Sequence, residues 1–390
     1  MNHTKVIGIV GLGTMGAGIV EVFARQGYQV IACDADEKQV NSLVQRVRNS
    51  LSQLVSRGKL TIEECEQSLA KIKASRDFSQ LRPVNFLIEA VVEDLTAKHA
   101  LFRSLEPQVS ENTIIATNTS SLSIAALSRA FNQPQRFIGV HFFNPATRMQ
   151  LVELIPSLQT ATQCTTEAKK LIQSLEKTVV IAKDTPGFIV NRVARPFYVE
   201  ALRIHDEGIA DPATIDWAMK KFGGFKMGPF ELMDLIGHDV NYVVTETVFQ
   251  ATYGDSRYRP SITQKRLLEA GLLGKKTGRG FYDYRDGAQL PEPNQDQKLG
   301  QQIFERIIAM LINEATETLH WKVASREDID AAVTLGVNYP QGLLRWADQL
   351  GIAHVLEILQ ALQLEYEEER YRASILLKQM AKNQQTFYEV

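Results

Sequence analysis

The sequence predicts an α/β domain with a mainly parallel sheet, followed by an all-α region. Between residues 5 and 181, short β-branched runs alternate with helical stretches, which is typical of parallel strands joined by crossover helices. After Pro186 the strand signals stop and helical periodicity takes over. The chain has 390 residues, 44% of them hydrophobic, which is too long for one ordinary core. We therefore expect two or three domains and no global disorder.

Seven segments of the first region have the composition of strands: 5–10, 29–33, 86–91, 113–116, 136–140, 151–155 and 178–181. Between the second and third lies an unusually long segment, 36–75, which is charged on one face and broken near Gly58. We interpret this segment as a projecting helical hairpin. It is inserted into a sheet domain that we expect to span residues 1–184.

The all-α region is predicted to contain an internal repeat. When the region is shifted by about 110 to 115 residues, it matches itself at four places. The matches are Glu200 with Glu314, Asp216 with Asp330, 228–232 with 339–343, and 257–259 with 370–372. A stretch rich in Pro, Asn and Gln, 286–297, is typical of an exposed linker. We therefore predict a first helical domain at 185–285 and a second at 298–390.

The charge balance and the cysteines exclude several classes of partner. Lys and Arg number 43 against 45 for Asp and Glu, a net charge of −2, so there is no basic surplus for nucleic acid or an anionic membrane. The three cysteines, Cys33, Cys65 and Cys164, are far apart and argue against a disulfide framework or a zinc site. No apolar run approaches 18 residues, and the N-terminus lacks a signal-peptide pattern. We expect a soluble, cytoplasmic protein without a bound metal.

A glycine-rich motif joins the first predicted strand to a helical pattern at 17–26. In the spacing of Gly11, Gly13 and Gly16, the first glycine permits a tight turn, the second lets the backbone approach a pyrophosphate, and the third allows close helix packing. The second strand ends at Asp34, which is placed to accept hydrogen bonds from ribose hydroxyls and to repel a 2′-phosphate. The first domain is therefore predicted to be a Rossmann-type dinucleotide-binding domain that prefers NAD to NADP.

A histidine and a glutamate lie on consecutive predicted strands. His141 directly follows the fifth strand, at the end of a sheet strand where cofactor clefts form. Glu153 comes 12 residues later on the next strand, where it could return beside the imidazole, fix its tautomer and raise its basicity. On composition alone, His141 is either a catalytic base or a satisfied structural histidine.

Two other polar residues have both a structural and a functional interpretation. Ser120 follows a predicted strand and could point into the cleft, while Ser121 or Ser123 caps the helix that comes next. Asn191 lies one turn inside the helical half. Its amide is either solvated or directed at a cleft between the domains, and the sequence pattern fits both.

A basic loop framed by glycines lies near the end of the first helical domain. It runs from Gly274 to Tyr282 and carries three cations, among them Lys276. One interpretation is a loop that faces a phosphate group. The other is a solvated basic turn, since the loop does not lie between a strand and a helix as a nucleotide P-loop does.

Six blocks, taken together and in order, closely resemble the L-3-hydroxyacyl-CoA dehydrogenase family: 11–19, 118–122, 141–145, 184–192, 227–232 and 274–278. The resemblance runs from residue 5 to 284, and the repeat that follows resembles long bacterial forms with a second copy of the helical domain. It implies an NAD-dependent enzyme that reversibly oxidises an L-3-hydroxyacyl-CoA to the 3-oxoacyl-CoA. The implied setting is fatty acid or phenylacetate-type degradation.

The resemblance also implies roles for single residues. His141 matches the catalytic base and Glu153 its partner, while Ser120 and Asn191 match the residues that hold the substrate oxygens. Closure of the two domains would then complete the site. The implied cofactor contacts are Gly11, Gly13, Thr14, Met15, Gly16, Asp34, Glu93, Lys98, Asn118, Ser120, Asn144 and Lys276.

The implied substrate is an acyl-CoA thioester held in part by the hairpin. Ser50 matches a coenzyme A contact, and Arg57 stands where the family usually has lysine, which keeps the charge but changes its geometry. A 3-hydroxybutyryl and a 3-hydroxyadipyl group both remain open, and Lys226 either pairs with a dicarboxylic tail or is solvated. The alternatives are a dehydrogenase of a free hydroxy acid or sugar acid and a non-catalytic NAD-binding protein.

The second helical copy differs from the first at the positions to which the resemblance assigns substrate and cofactor contacts. Glu305 stands in the place of Asn191, and the closing stretch 385–388 lacks the glycine frame of 274–280. We interpret the second copy as structural, packed on the first and mimicking the interface that shorter family members form by dimerising. The chain is therefore expected to be a homodimer or a pseudo-dimeric monomer.

Overall fold

The computed structural model describes residues 5–389 and divides the chain into two compact units, Met1–Thr185 and Pro186–Val390. The first unit is α/β and the second is all-α, which confirms the predicted fold class. No helix within residues 5–389 is both long and apolar enough to cross a membrane. Within the same range, no three metal-ligating side chains cluster.

One sheet of eight strands forms the centre of the first unit. The strands are Val6–Val10 (β1), Gln29–Cys33 (β2), Ile72–Ser75 (β3), Phe86–Glu89 (β4), Ile114–Thr117 (β5), Phe137–Phe142 (β6), Leu151–Pro156 (β7) and Thr178–Ile181 (β8). Their order is β3-β2-β1-β4-β5-β6-β7-β8, and every pair is parallel except β6 with β7. The carboxyl ends of β1, β2, β4, β5 and β6 therefore meet at one edge of the sheet, where α/β proteins bind ligands.

Six α-helices are described in the first unit: Thr14–Arg25 (α1), Glu37–Ser56 (α2), Ile62–Leu69 (α3), Leu95–Leu105 (α4), Ile124–Ser128 (α5) and Thr162–Gln173 (α6). Asp36 caps α2, and Thr61 with Glu64 forms a capping box at the start of α3. The predicted hairpin 36–75 is thus corrected, because it ends with α3 and its last residues form the edge strand β3. Its sequence, Ile-Lys-Ala-Ser, lacks the apolar run of the buried strands, because β3 is only partly buried.

The second unit holds two series of helices. The first helical segment, 190–284, contains Val190–Val193 (α7), Arg195–Asp206 (α8), Pro212–Gly223 (α9), Pro229–Ile236 (α10), His238–Ala251 (α11) and Ile262–Glu269 (α12). The second helical segment, 297–389, contains Gln297–His320 (α13), Arg326–Gly336 (α14), Leu343–Leu350 (α15), Ile352–Tyr366 (α16) and Ile375–Asn383 (α17). The order of the elements is the same in both, except that α13 is continuous where α7 and α8 are separate.

A buried aspartate ties each segment together in the same way. Asp216 accepts hydrogen bonds from two backbone N–H groups at the start of α10 and from the hydroxyl of Tyr282, which lies 2.7 Å away. Asp330 accepts two backbone N–H groups at the start of α15 and the hydroxyl of Tyr388, 3.0 Å away. Each aspartate therefore joins three separate parts of its segment.

These aspartates also correct the predicted alignment of the two segments. A Cβ on Gly228 would lie 2.3 Å from Oδ1 of Asp216, and a Cβ on Gly342 would lie 2.2 Å from Cγ of Asp330. Both positions exclude a side chain for the same reason, so Gly228 corresponds to Gly342. The predicted match of Gly228 with Tyr339 is wrong by three residues.

Two buried ion pairs join the segments, and they mirror each other. Arg192 of the first segment donates from Nε to Oε1 of Glu314 of the second, over 2.7 Å. Arg306 of the second segment donates from Nε to Oε1 of Glu200 of the first, over 2.6 Å. The same contact thus occurs twice with the segments exchanged.

Candidate active site

The turn between β1 and α1 leaves no room for side chains at two of its glycines. Gly11 has a φ of 92°, and a Cβ there would lie 2.6 Å from the carbonyl oxygen of Ala90. A Cβ on Gly16 would lie 1.8 Å from the carbonyl oxygen of Gly11. A Cβ on Gly13, by contrast, would meet nothing within 4 Å, so that side of the turn is open. A tight turn with open space before a helix N-terminus fits a dinucleotide pyrophosphate.

Asp34 follows β2 and holds the glycine turn from one side. Its Oδ2 accepts a hydrogen bond from the backbone N–H of Leu12 over 2.7 Å. Arg46 reaches over from α2 and donates from Nη2 to the carbonyl oxygen of Leu12 over 2.6 Å. Sequence reasoning missed Arg46, because a lone arginine on a hairpin helix resembles any solvated charge. The turn is therefore fixed from both sides beside the carboxylate assigned to the ribose.

His141 and Glu153 form the hydrogen bond that the sequence suggested. The strand β6 extends through Phe142, two residues further than predicted, and pairs antiparallel with β7 in a register that sets His141 opposite Glu153. Nδ1 of the imidazole lies 2.8 Å from Oε2 of the carboxylate. The imidazole is 6% exposed and the glutamate 0%. A buried carboxylate on Nδ1 fixes the orientation of the ring.

A second buried carboxylate, Glu89, organises the neighbouring loops. It ends β4 and lies 2.5 Å from Nζ of Lys98, whose side chain is 1% exposed. Lys98 also lies 3.4 Å from Oε2 of Glu93. Lys98 is therefore held between two carboxylates at the end of β4, and its contact with the cofactor stays a prediction. Glu89 was missed because a glutamate that ends a strand gives no separate sequence signal.

The carboxylate of Glu93 holds the loop that follows β5 through several hydrogen bonds. One of its carboxylate oxygens accepts hydrogen bonds from Thr119 Oγ1 at 2.6 Å, from Ser120 N at 2.8 Å and from Ser121 N at 3.2 Å. Burial raises the pKa of Glu93, but Lys98 and these donors outweigh it and lower the pKa below its ordinary value. Glu93 is therefore held as a carboxylate at the sheet edge.

Ser120 and Asn118 lie on the same loop. The side chain of Asn118 accepts a hydrogen bond from the backbone N–H of Phe142, which follows His141, over 2.8 Å. Ser123 accepts from Ala126 N and caps α5, so the structural interpretation holds for Ser123 and leaves Ser120 in the loop. The first unit thus brings the loop with Ser120 and the strand with His141 together through one amide.

The remaining predicted residues of the first unit separate into two groups. Ser50, on α2, lines a cavity of about 250 Å³ together with Asn144 and Thr14. Arg57, in contrast, is the exposed residue that directly follows α2, and it does not line that cavity. The structure therefore places the assigned coenzyme A contact Ser50 close to the assigned cofactor contact Asn144.

Asn191 and Lys276 belong to the second unit. Asn191 is half-buried on the short helix α7. Lys276 forms an ion pair with Asp239 and is 42% exposed, while the loop around it is folded back onto Asp234, which accepts backbone N–H groups at its end. The loop that carries Lys276 is therefore built into its segment and is not a freely solvated turn.

Two models of known protein families match the chain. The model described as 3-hydroxyacyl-CoA dehydrogenase, NAD binding domain, matches residues 6–185. The model described as 3-hydroxyacyl-CoA dehydrogenase, C-terminal domain, matches residues 187–284 and 303–387. The two models together cover nearly all of both structural units.

Several known proteins are similar to this chain. The 3-hydroxyadipyl-CoA dehydrogenase of Escherichia coli (strain K12) is 37% identical over 98% of this chain and 98% of its own. A crystal structure of 3-hydroxybutyryl-CoA dehydrogenase from Escherichia coli K12 matches with a TM-score of 0.93 at 36% identity, covering 98% of this chain and 99% of that one. The (S)-3-hydroxybutyryl-CoA dehydrogenase from Ralstonia eutropha matches with a TM-score of 0.70 at 39% identity, over 73% of this chain and 100% of its own.

Proposed function

We propose, because the chain belongs to the 3-hydroxyacyl-CoA dehydrogenase family, that it oxidises the 3-hydroxyl of an L-3-hydroxyacyl-CoA with NAD and catalyses the reverse reduction. The observation that carries the proposal is the buried pair of His141 and Glu153. This pair lies at the sheet edge that also bears the glycine turn after β1. A general base next to a dinucleotide turn is what the oxidation of a hydroxyl requires.

His141 acts as the base. NAD, when bound, supplies the two-electron oxidant. The carboxylate of Glu153 accepts a hydrogen bond from the Nδ1–H group of His141, so Nε2 is the atom that takes the proton from the 3-hydroxyl. The carboxylate of Glu153 then stabilises the imidazolium, since opposite charges attract strongly where both are shielded from water. In the reverse direction the imidazolium returns this proton to the 3-oxo oxygen.

Two polar side chains orient the substrate in this proposal. Ser120 of the first unit and Asn191 of the second hold the oxygens of the hydroxyl and the thioester, as the family resemblance assigns them. Orientation of this kind lowers the barrier by removing the freedom of the reacting groups before the reaction. Loss of either side chain should therefore lower turnover as well as substrate affinity.

The cofactor contacts are proposed for the same sheet edge. Asp34 meets the adenosine ribose, and Glu93, held as a carboxylate by Lys98, meets the cofactor where β4 ends. Asn144 and Lys276 complete the contacts that the resemblance assigns. The glycine turn and the start of α1 hold the pyrophosphate.

The acyl group is proposed to be 3-hydroxybutyryl or 3-hydroxyadipyl. These are the two acyl groups in the names of the relatives that match nearly the whole chain. A terminal carboxylate distinguishes them, and Lys226, which is exposed, either pairs with this carboxylate or is solvated. The free hydroxy acid is less favoured, because Ser50 and Asn144 line one cavity in a family of coenzyme A enzymes.

We also infer that the second helical segment is a copy of the first and takes the place of a partner subunit. The mirrored ion pairs of Arg192 with Glu314 and of Arg306 with Glu200 support this inference. The chain would then be pseudo-dimeric as a monomer. A molar mass in solution of several chains that persists after removal of residues 298–390 would contradict it.

The test follows NADH absorbance with acetoacetyl-CoA for the wild type and for His141→Gln. Loss of a general base should lower turnover by about 10²- to 10⁴-fold while NADH affinity stays nearly unchanged. His354→Gln, on the exposed side of α16, serves as the matched control and should behave as the wild type. Equal turnover of wild type and His141→Gln would refute the assignment, and reduction of free acetoacetate would favour the free-acid alternative.

A further inference from the structure

The cavity that contains Ser50 also holds two buried polar atoms that the mechanism does not use. The cavity, of about 250 Å³, lies between α1, α2 and the loop that follows β6. On α1 its wall is formed by Thr14, Ala17, Gly18 and Glu21, which share one face of the helix. The small residues in the middle of this face leave the space open.

Glu21 is the first of the two. It is 3% exposed, and its Oε1 has no hydrogen-bond partner within residues 5–389. Burial raises the pKa of Glu21, while the hydroxyl of Ser50 and the charge of Arg25 act in the opposite direction. A carboxyl oxygen without a donor is costly in such a place, so a ligand that brings an N–H group would be stabilised there.

Arg46 is the second. Its Nη2 donates to the carbonyl oxygens of Leu12 and Gln39, but its buried Nε has no acceptor in the described part of the chain. Arg46 and Glu21 both line the cavity. The cavity therefore presents one unsatisfied acceptor and one unsatisfied donor, the pair of functions that a secondary amide complements.

We propose that Glu21 and Arg46 bind an amide of the pantetheine arm of the acyl-CoA, an inference that rests on the proposed function. Oε1 of Glu21 accepts the amide N–H, and Nε of Arg46 donates to the amide carbonyl. Ser50, which the resemblance assigns to coenzyme A, borders the same space, as does Asn144, three residues after His141. The cavity thus adjoins both the assigned coenzyme A contact and the chain that carries the catalytic base.

The carboxamide of NAD could also supply an amide N–H and a carbonyl oxygen. The position of Glu21 along α1 argues against NAD as the ligand of this cavity. The dinucleotide binds at the N-terminal end of α1. Glu21 lies seven residues further along this helix than Thr14, which corresponds to about 10 Å at a rise of about 1.5 Å per residue. The resemblance assigns a coenzyme A contact to Ser50, which borders the same cavity. An amide of the pantetheine arm therefore matches this position better than the carboxamide of NAD.

The experiment compares Glu21→Leu with the wild type in the reduction of three thioesters of acetoacetate. Acetoacetyl-CoA and acetoacetyl-pantetheine carry the pantetheine amides, and the ethyl thioester carries none. We expect Glu21→Leu to raise KM about 10-fold for the first two, with little change in kcat, because the lost contact is the same in the ground and transition states. KM for the ethyl thioester and for NADH should not change.

Two further variants make the result specific. Glu21→Gln keeps an acceptor oxygen and should change KM by less than about 3-fold. Glu63→Leu, an exposed glutamate on α3 outside the cavity, is the matched control and should match the wild type.

Three results would overturn the proposal. An unchanged KM for acetoacetyl-CoA in Glu21→Leu, or an equal rise for the ethyl thioester, contradicts the amide contact. A rise confined to the KM for NADH assigns the site to the cofactor. If the wild type reduces none of the three thioesters while NADH binds, the proposed function itself fails and the inference fails with it.

Discussion

The first and second helical segments share their internal supports and differ in the residues that we assign to chemistry. Each has an aspartate that clamps the start of a helix, Asp216 in the first and Asp330 in the second. Each also contributes one arginine and one glutamate to the mirrored ion pairs. The position of Asn191, however, holds Glu305 in the second segment.

The difference extends to the loop at the end of each segment. In the first, Asp234 accepts the backbone N–H groups of Phe281 and Tyr282 after the loop that carries Lys276. In the second, Asp348 accepts the N–H groups of the corresponding pair, Phe387 and Tyr388, without a glycine-framed loop. The supports of the fold thus persist where the assigned ligand contacts do not. We infer that the first helical segment contributes residues to the active site and that the second packs against the first and supports it.

The two mirrored ion pairs are not equal, and their removal should show it. Each glutamate accepts a hydrogen bond from a tyrosine hydroxyl, but Glu314 also accepts from two guanidinium groups, those of Arg192 and Arg257, whereas Glu200 accepts from one, that of Arg306. Arg306→Met should therefore lower the free energy of unfolding by about 3–5 kcal/mol, since it leaves the buried carboxylate of Glu200 without a cation. Arg192→Met should cost less, about 1–3 kcal/mol, because Arg257 remains. Denaturant titration of both variants measures the difference.

The double variant Glu200→Leu with Arg306→Met supplies the control. Replacing both members of a buried pair by apolar residues costs much less than removing one. The double variant should therefore be more stable than Arg306→Met alone. Equal losses in Arg306→Met and Arg192→Met would contradict the asymmetry and leave the two pairs equivalent.

Asn191 and Glu305 give the corresponding comparison for activity. Asn191→Ala should lower kcat by about 10²-fold if the amide orients the reacting oxygens, because the contact strengthens in the transition state. Glu305→Ala should stay within about 2-fold of the wild type, since its carboxylate accepts from Gln301 on its own helix. Steady-state reduction of acetoacetyl-CoA measures both.

A fall in kcat in both Asn191→Ala and Glu305→Ala would contradict this expectation. Such a result would assign the second segment a part in the reaction and would remove the distinction between a catalytic and a supporting copy. A rise in KM alone for Asn191→Ala would instead indicate a binding contact without a role in orientation.

Sequence reasoning was strongest where the chemistry lies on consecutive elements of the chain. The glycine turn after β1 and the pairing of His141 with Glu153 depend on one turn and one antiparallel return, which a local pattern encodes. The contacts of Glu89 with Lys98 and of Arg46 with Leu12 join separate elements, and a single sequence does not specify them. The strand β3 was missed because it contains Lys73 and Ser75 and is only partly buried at the sheet edge, unlike the fully buried four-residue strands β4 and β5, which were predicted.

The misalignment of the two helical segments has a similar cause. Pro229 and Pro340 are identical residues and suggested a match, but in the structure the glycines Gly228 and Gly342 correspond. The glycines are required because an aspartate lies against each of them, 12 residues earlier in the chain. A proline identity is visible in the sequence, whereas the close approach to the aspartate appears only in the folded chain.

The clamp aspartates should also differ in their response to pH. Burial raises the pKa of Asp216 to about 7, although Tyr282 and the backbone of Phe230 lower it, and burial raises the pKa of Asp330 as well. The ordinary value of an aspartate is 3.8, so between pH 4 and 7 the folded chain holds a proton on Asp216 that the unfolded chain has released. The free energy of unfolding should therefore fall with rising pH across this window.

Asp216→Asn removes this titration. The amide has one acceptor oxygen in place of two, and the loss of free energy from the missing hydrogen bonds is the same at every pH. Denaturant titrations at pH 4.5 and 7.5 should show a fall in the free energy of unfolding that is smaller than in the wild type by about 3 kcal/mol. Asp330→Asn should change the fall less, since Asp330 is 6% exposed against 1% for Asp216 and has Arg345 nearby. If Asp216→Asn keeps the full fall of the wild type, the carboxyl is ionised throughout this range, and its three donors outweigh its burial.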